Sequence, residues 1–167
     1  KYRVRIYGNS YLGCEYQILE DAAHQLHPRG TTGSLYELYE PSDAKQLKPV
    51  GEFNQSRIVV RGNHIEHWLN GVRIVSADVG TSEWYQRVAE SKFHNVESFG
   101  ENRSGLIMLT DHSSEVWYRN IVLTPLPPPA PTYAYATSGP ARCRILPWRS
   151  HGRCRGKLLA RRCAARR

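Results

Sequence analysis

Apolar and polar positions between Arg57 and Ala77 alternate in three short runs, RIVVR, HIEHWL and VRIVSA, separated by Gly62-Asn63 and Asn70-Gly71. Period-two alternation marks a half-buried strand and two-residue breaks of this kind are tight turns, so the segment predicts an antiparallel meander. Asn-Gly favours a type I′ hairpin because both central residues must take positive φ. A two-residue turn there sets Leu69 opposite Val72, Trp68 opposite Arg73, His67 opposite Ile74 and Glu66 opposite Val75. One face then carries Ile65, His67, Leu69, Val72 and Ile74 and reads as core, with His67 a hydrogen-bonded core histidine. The other carries His64, Glu66, Trp68 and Arg73, the polar and aromatic mixture of a solvent-facing surface or a binding groove.

The same pattern extends along the chain. Tyr2 to Tyr7 alternates like the middle of a strand, which predicts that further strands precede it. Cys14 to Leu19, Ser34 to Tyr39, Gly105 to Thr110 and Glu115 to Leu123 read as additional strands, the last two joined through Asp111-His112-Ser113-Ser114. One helix is expected: Thr81-Ser82-Glu83 before WYQRVAESKF offers a capping hydroxyl, an early acid and Trp84 and Val88 at i, i+4 spacing. Short strands with turn signals between them predict an all-β antiparallel sandwich or jelly roll with a short helical excursion.

Charge changes the picture only by its distribution. The 167 residues carry a net charge of +8, which taken whole suggests a nucleic-acid partner. Residues 1–124 hold 13 basic against 15 acidic residues, whereas residues 125–167 hold 10 basic and none acidic. The sandwich is therefore mildly acidic, and no nucleic acid is expected for it. PLPPPAP at 125–131 ends the domain, giving a sandwich over 1–126 and a linker with a basic, disordered tail over 127–167. That tail reads either as a nucleic-acid-binding arm or as out-of-frame translation. Its lack of acidic residues, with Cys143, Cys154 and Cys163 outside any paired zinc spacing, favours the second. No apolar run approaches the length of a membrane span.

Three blocks carry a family resemblance: GCEYQIL at 13–19, PVGEFNQSRIVVRGNHIEHWLNGVRIV at 49–75 and GLIMLTDHSSEVWYRNIVL at 105–123. In order and spacing they resemble the 3-keto-disaccharide hydrolase domain, a concanavalin-like jelly roll. The chain departs from that family in lacking its opening strands, in Phe53 where tryptophan is usual, and in Thr110 where glutamine is usual. The resemblance implies a bacterial, exported protein, periplasmic or extracellular, acting on sugars oxidised at C3 by a separate dehydrogenase. A C3 ketone acidifies the C2 proton, so the glycosidic bond breaks by elimination and water then adds. This differs from hydrolysis by paired carboxylates.

Such a step needs a base, a group to meet the developing oxyanion and a proton donor. His112 beside Asp111 is the first candidate base, and Arg119 the candidate for orienting or neutralising charge. Glu15, Gln17, His64 and Glu66 are candidates for polar contacts or a second acid/base, and Trp117 or Trp68 for stacking on a sugar ring. Bland readings compete: Asp111 to Ser114 as a polar turn, and Arg119 in an ion pair with Glu15 or Asp111. The step requires no cofactor. His64, Glu66 and His112 also suit a divalent metal that polarises the ketone, but on a strand His64 and His67 point to opposite faces, which excludes a zinc-protease HxEH helix. A non-catalytic carbohydrate-binding sandwich is the alternative function.

Overall fold

The computed structural model describes residues 1–23, 26–110 and 114–127. They lie in a compact unit spanning Lys1–Pro129; a second unit, Ala130–Arg167, falls outside the described residues, and with it the expected basic tail. Among the described residues, five strands form two antiparallel sheets: β1 (Tyr2–Tyr7) pairs with β2 (Ser10–Cys14), and β3 (Ser56–Arg61), β4 (His64–Leu69) and β5 (Val72–Asp78) form a meander. This is the all-β antiparallel architecture that the alternation implied. Asn70 and Gly71 take φ values of 48° and 85°, the two positive angles that a type I′ turn demands.

The single α-helix among the described residues, α1 (Ser82–Ala89), starts where the sequence says it should. The Thr81 hydroxyl accepts the Trp84 backbone N–H at 3.2 Å, and Arg87 reaches back to Glu83 at 2.9 Å. Its one buried face is Trp84, which is fully inaccessible, donates its indole N–H to the Phe99 carbonyl at 3.1 Å and stacks beside Tyr39 and Phe99. Tyr2 and Cys14 from the first sheet, Ile65, Val75 and Ala77 from the second, and Trp84 share one core cluster.

Four expected strands do not form as ladders. The 14–19 run supplies Cys14 to β2 and otherwise one bridge, from Tyr16 to Leu35. Residues 34–39 fold back on themselves through a Leu35–Tyr39 bridge, with Glu37 at a φ of 69°. Residues 105–110 make one bridge, Leu106 to Val4, and residues 115–123 make none among those described. Alternation becomes a ladder only where a neighbour supplies the complementary N–H and C=O groups. Among the described residues, 105–110 and 115–123 meet few or no such partners, and Ile107, Trp117 and Val122 are 63%, 70% and 80% exposed. The expected place of Val72 in the core also fails, since it stands exposed at the hairpin end.

Candidate functional site

The registers of the meander decide which side chains share a face. β3 and β4 pair without interruption, whereas β4 and β5 pair Trp68 with Arg73 and then His67 with Val75, so that Ile74 is an extra residue. The expected pairs His67–Ile74 and Glu66–Val75 are therefore displaced by one residue. A bulge of this kind re-aims every side chain beyond it. Ile74 and Val75 are both buried, and from there the alternation resumes in the opposite phase, with Ser76 and Asp78 outward and Ala77 inward. The outer face consequently gains two polar groups that a regular hairpin would have turned into the core.

Those groups converge on His64. Asp78 stands directly across the ladder, its Oδ1 2.8 Å from His64 Nδ1. At the other end of the ring, Nε2 lies 3.4 Å from Ser76 Oγ and 3.6 Å from Glu66 Oε1. Glu66 is held on both oxygens, by the Trp68 indole N–H at 2.9 Å and by Arg73 at 3.0 Å. Burial acts to raise its pKa, but these hydrogen bonds and the neighbouring positive charge together bring it below the ordinary carboxylate value. Glu66 is thus a fixed anion and a poor proton acceptor.

Beyond β5 the surface opens into a groove of about 470 Å³ between Ile74–Ser76 and the 39–43 segment. The segment is tied to the strand by the Ser42 N–H, which donates to the Ile74 carbonyl at 2.8 Å. Tyr39, Glu40 and Asp43 line one wall, and Ser76 belongs both to the groove and to the His64 cluster. The volume lies within the range of about 300–1,000 Å³ typical of ligand pockets.

The inner face of β4 carries His67, fully buried as expected of a core histidine. Its Nδ1 faces the Gly33 carbonyl at 2.9 Å, which fixes the proton on that nitrogen, and Nε2 then accepts from the Tyr2 hydroxyl at 2.7 Å. Burial pushes its pKa down to about 4.

Of the residues singled out by sequence, His64, Glu66 and Trp68 come together on the outer face. Glu15 pairs instead with Lys1 at 3.5 Å, and Gln17 exchanges backbone hydrogen bonds with Ser34 and Gly33. Neither makes a hydrogen bond or ion pair to His64, Glu66 or Trp68 among the described residues. Arg119 forms no ion pair with Glu15; its guanidinium lies 4.0 Å from the centre of the Phe53 ring. Trp117 is exposed, and Asp111 and His112 lie outside the described residues. Asp78 and Ser76 were missed because the bulge was. Its signal was present: two consecutive apolar residues, Ile74-Val75, followed by Ser-Ala-Asp, reverse the phase of the alternation.

Asp78 and Glu66 address opposite nitrogens of the His64 imidazole, and no cluster of three ligand-type side chains exists among the described residues; His112, the third ligand expected for a metal with His64 and Glu66, lies outside them.

The sequence pattern of the 3-keto-alpha-glucoside-1,2-lyase-like domain matches residues 2–124. The chain belongs to that family. A Bacteroides thetaiotaomicron protein named 3-keto-disaccharide hydrolase is 30% identical to the lyase-like domain over 122 residues, which cover 64% of this chain and 42% of that protein. The crystal structure of a candidate glycosyl hydrolase from Parabacteroides distasonis superimposes with a TM-score of 0.52 at 27% identity, covering 60% of this chain and 51% of the other. The lyase-like domain thus spans about half or less of the length of these relatives.

Proposed function

We propose that this domain cleaves glycosides or disaccharides oxidised at C3, by elimination followed by hydration. A base takes the proton from C2, the electron pair forms an enediolate with the C3 oxygen, and the C1–O bond then breaks as the departing oxygen receives a proton. Water adds at C1 and C2 regains a proton, so the net change is hydrolysis. A sugar 3-dehydrogenase supplies the substrate, and the step as written draws on no cofactor.

The observation that carries the reading is the His64 ring, fixed through Nδ1 by Asp78 on an open sheet face, in a chain of this family. A histidine oriented by a carboxylate is suited to proton transfer because the partner fixes which nitrogen acts. Besides His64 with Asp78, the chain places Asp111 next to His112 in sequence. We assign C2 abstraction to His112 and proton delivery to the leaving oxygen to His64. Arg119 supplies positive charge for the enediolate, and Trp68 and Trp117 contact sugar.

The test is aglycone release from a 3-keto-glucoside and from the parent glucoside, using the full chain. Release from the ketone alone supports the proposal, and binding without release leaves a carbohydrate-binding module instead. The roles separate by leaving group. A nitrophenyl aglycone needs no protonation to depart, so it should restore turnover to His64→Ala and not to His112→Ala. The opposite pattern exchanges the two roles.

A further inference from the structure

The sheet face that carries His64 holds a second row of side chains, in direct register across all three strands: Arg57 on β3, Trp68 on β4 and Arg73 on β5. The two arginines are used differently. Arg73 spends its charge on Glu66 at 3.0 Å. The Arg57 guanidinium lies 4.1 Å from the centre of the Trp68 indole and makes no hydrogen bond or ion pair among the described residues.

Stacking occupies the flat face of a guanidinium and leaves its in-plane N–H donors at the edge unspent. It also fixes the plane in which those donors point, which lowers the entropy lost when a planar or multidentate anion is bound. A pocket of about 160 Å³ opens at this place, lined by Gln55, Arg57, Trp68 and Gly71. That is below the range of about 300–1,000 Å³ that encloses a whole small ligand. It suits a substituent, with the rest of the molecule lying across the sheet. Because Glu66 is matched by Arg73, Arg57 is the uncompensated charge of the row.

We propose that the Arg57–Trp68 pocket binds an oxyanion substituent, a carboxylate or a sulfate ester, on the saccharide that crosses this face, and so gives the protein a preference for acidic over neutral glycosides. The proposal rests on the reading of this face as the sugar-binding face. It assigns one face of Trp68 to Arg57, so that face is not available for sugar stacking. The selectivity comes from a local group, since residues 1–124 carry two more acidic than basic residues and would on average repel an anion.

The test is calorimetric titration of the full chain with a neutral disaccharide, its uronic-acid counterpart and its sulfated counterpart, at low and at moderate salt. Wild-type protein is expected to bind at least one acidic form about 10-fold more tightly than the neutral form, in keeping with charge-assisted hydrogen bonds to a bidentate donor. Arg57→Gln should bring the acidic-to-neutral ratio close to one, and Arg57→Lys should leave it intermediate. Arg57 is exposed, so both variants should remain folded, and urea unfolding checks this. Which acidic form binds identifies the source of the oxyanion. Equal binding of neutral and acidic forms, unchanged in Arg57→Gln, overturns the proposal and leaves the sugar-face reading standing. No binding of any of the three overturns both.

Discussion

Asp78 faces His64 because β5 carries one residue more than β4 at Ile74, and the 2.8 Å contact between Asp78 Oδ1 and His64 Nδ1 follows from that single insertion. In the proposed step, this carboxylate orients the imidazole and Nε2 exchanges the proton. Asp78→Asn keeps the shape but removes the charge. It is expected to lower turnover of a 3-keto-glucoside by about 10²-fold, within the range for general acid–base groups. Steady-state kinetics check this, and a wild-type rate would remove the pair from the mechanism.

The bulge itself can be tested by deleting Ile74. The deletion removes the extra residue and leaves Val75 opposite His67, Ser76 opposite Glu66 and Asp78 opposite His64 in a regular hairpin. The outer face should therefore survive, while loss of the buried Ile74 side chain lowers stability by about 2–5 kcal/mol, read as an earlier urea midpoint. A variant that folds but loses activity would show that the bulge does more than set the phase.

His67 predicts a pH dependence of stability. Its folded pKa of about 4 lies below the ordinary value of 6.5, so between these limits the unfolded chain holds a proton that the folded chain does not. Stability from this group is therefore full above pH 6.5 and falls as pH drops toward 4, by about 3 kcal/mol in all. Urea midpoints across that window should track the loss, and the His67 ring resonances should begin to titrate only near pH 4. Titration near 6.5 would contradict the buried assignment. Tyr2→Phe, which leaves Nε2 without its donor, should cost about 1–3 kcal/mol at neutral pH.

Gly100 predicts a packing limit. It takes a φ of 75°, and a Cβ there would stand 2.8 Å from the Trp84 ring and 3.1 Å from Cys14 Sγ. Gly100→Ala is expected to destabilise by about 1–3 kcal/mol, because backbone strain and overpacking add. Chemical denaturation followed by tryptophan fluorescence measures it. An unchanged midpoint would mean that Trp84 has room to move.

The meander, the Asn70-Gly71 turn and the Thr81 cap were legible because each is specified within a few residues: alternation, two positive φ angles, one hydroxyl. That 105–110 and 115–123 would not form strand ladders was not legible, although they alternate as clearly, because a ladder depends on a partner elsewhere in the chain. His64, Glu66 and Trp68 could be placed on one face from period two alone. Asp78, Ser76 and Arg57 could not, since the first two follow from a bulge and the third matters through its stacking on Trp68.

The most direct test of the central claim is the rate of aglycone release from a 3-keto-glucoside carrying deuterium at C2, compared with the protiated sugar. Elimination by C2 proton abstraction predicts a primary isotope effect and no release from the unoxidised glucoside. Equal rates for the two isotopologues, together with cleavage of the unoxidised sugar, would contradict it.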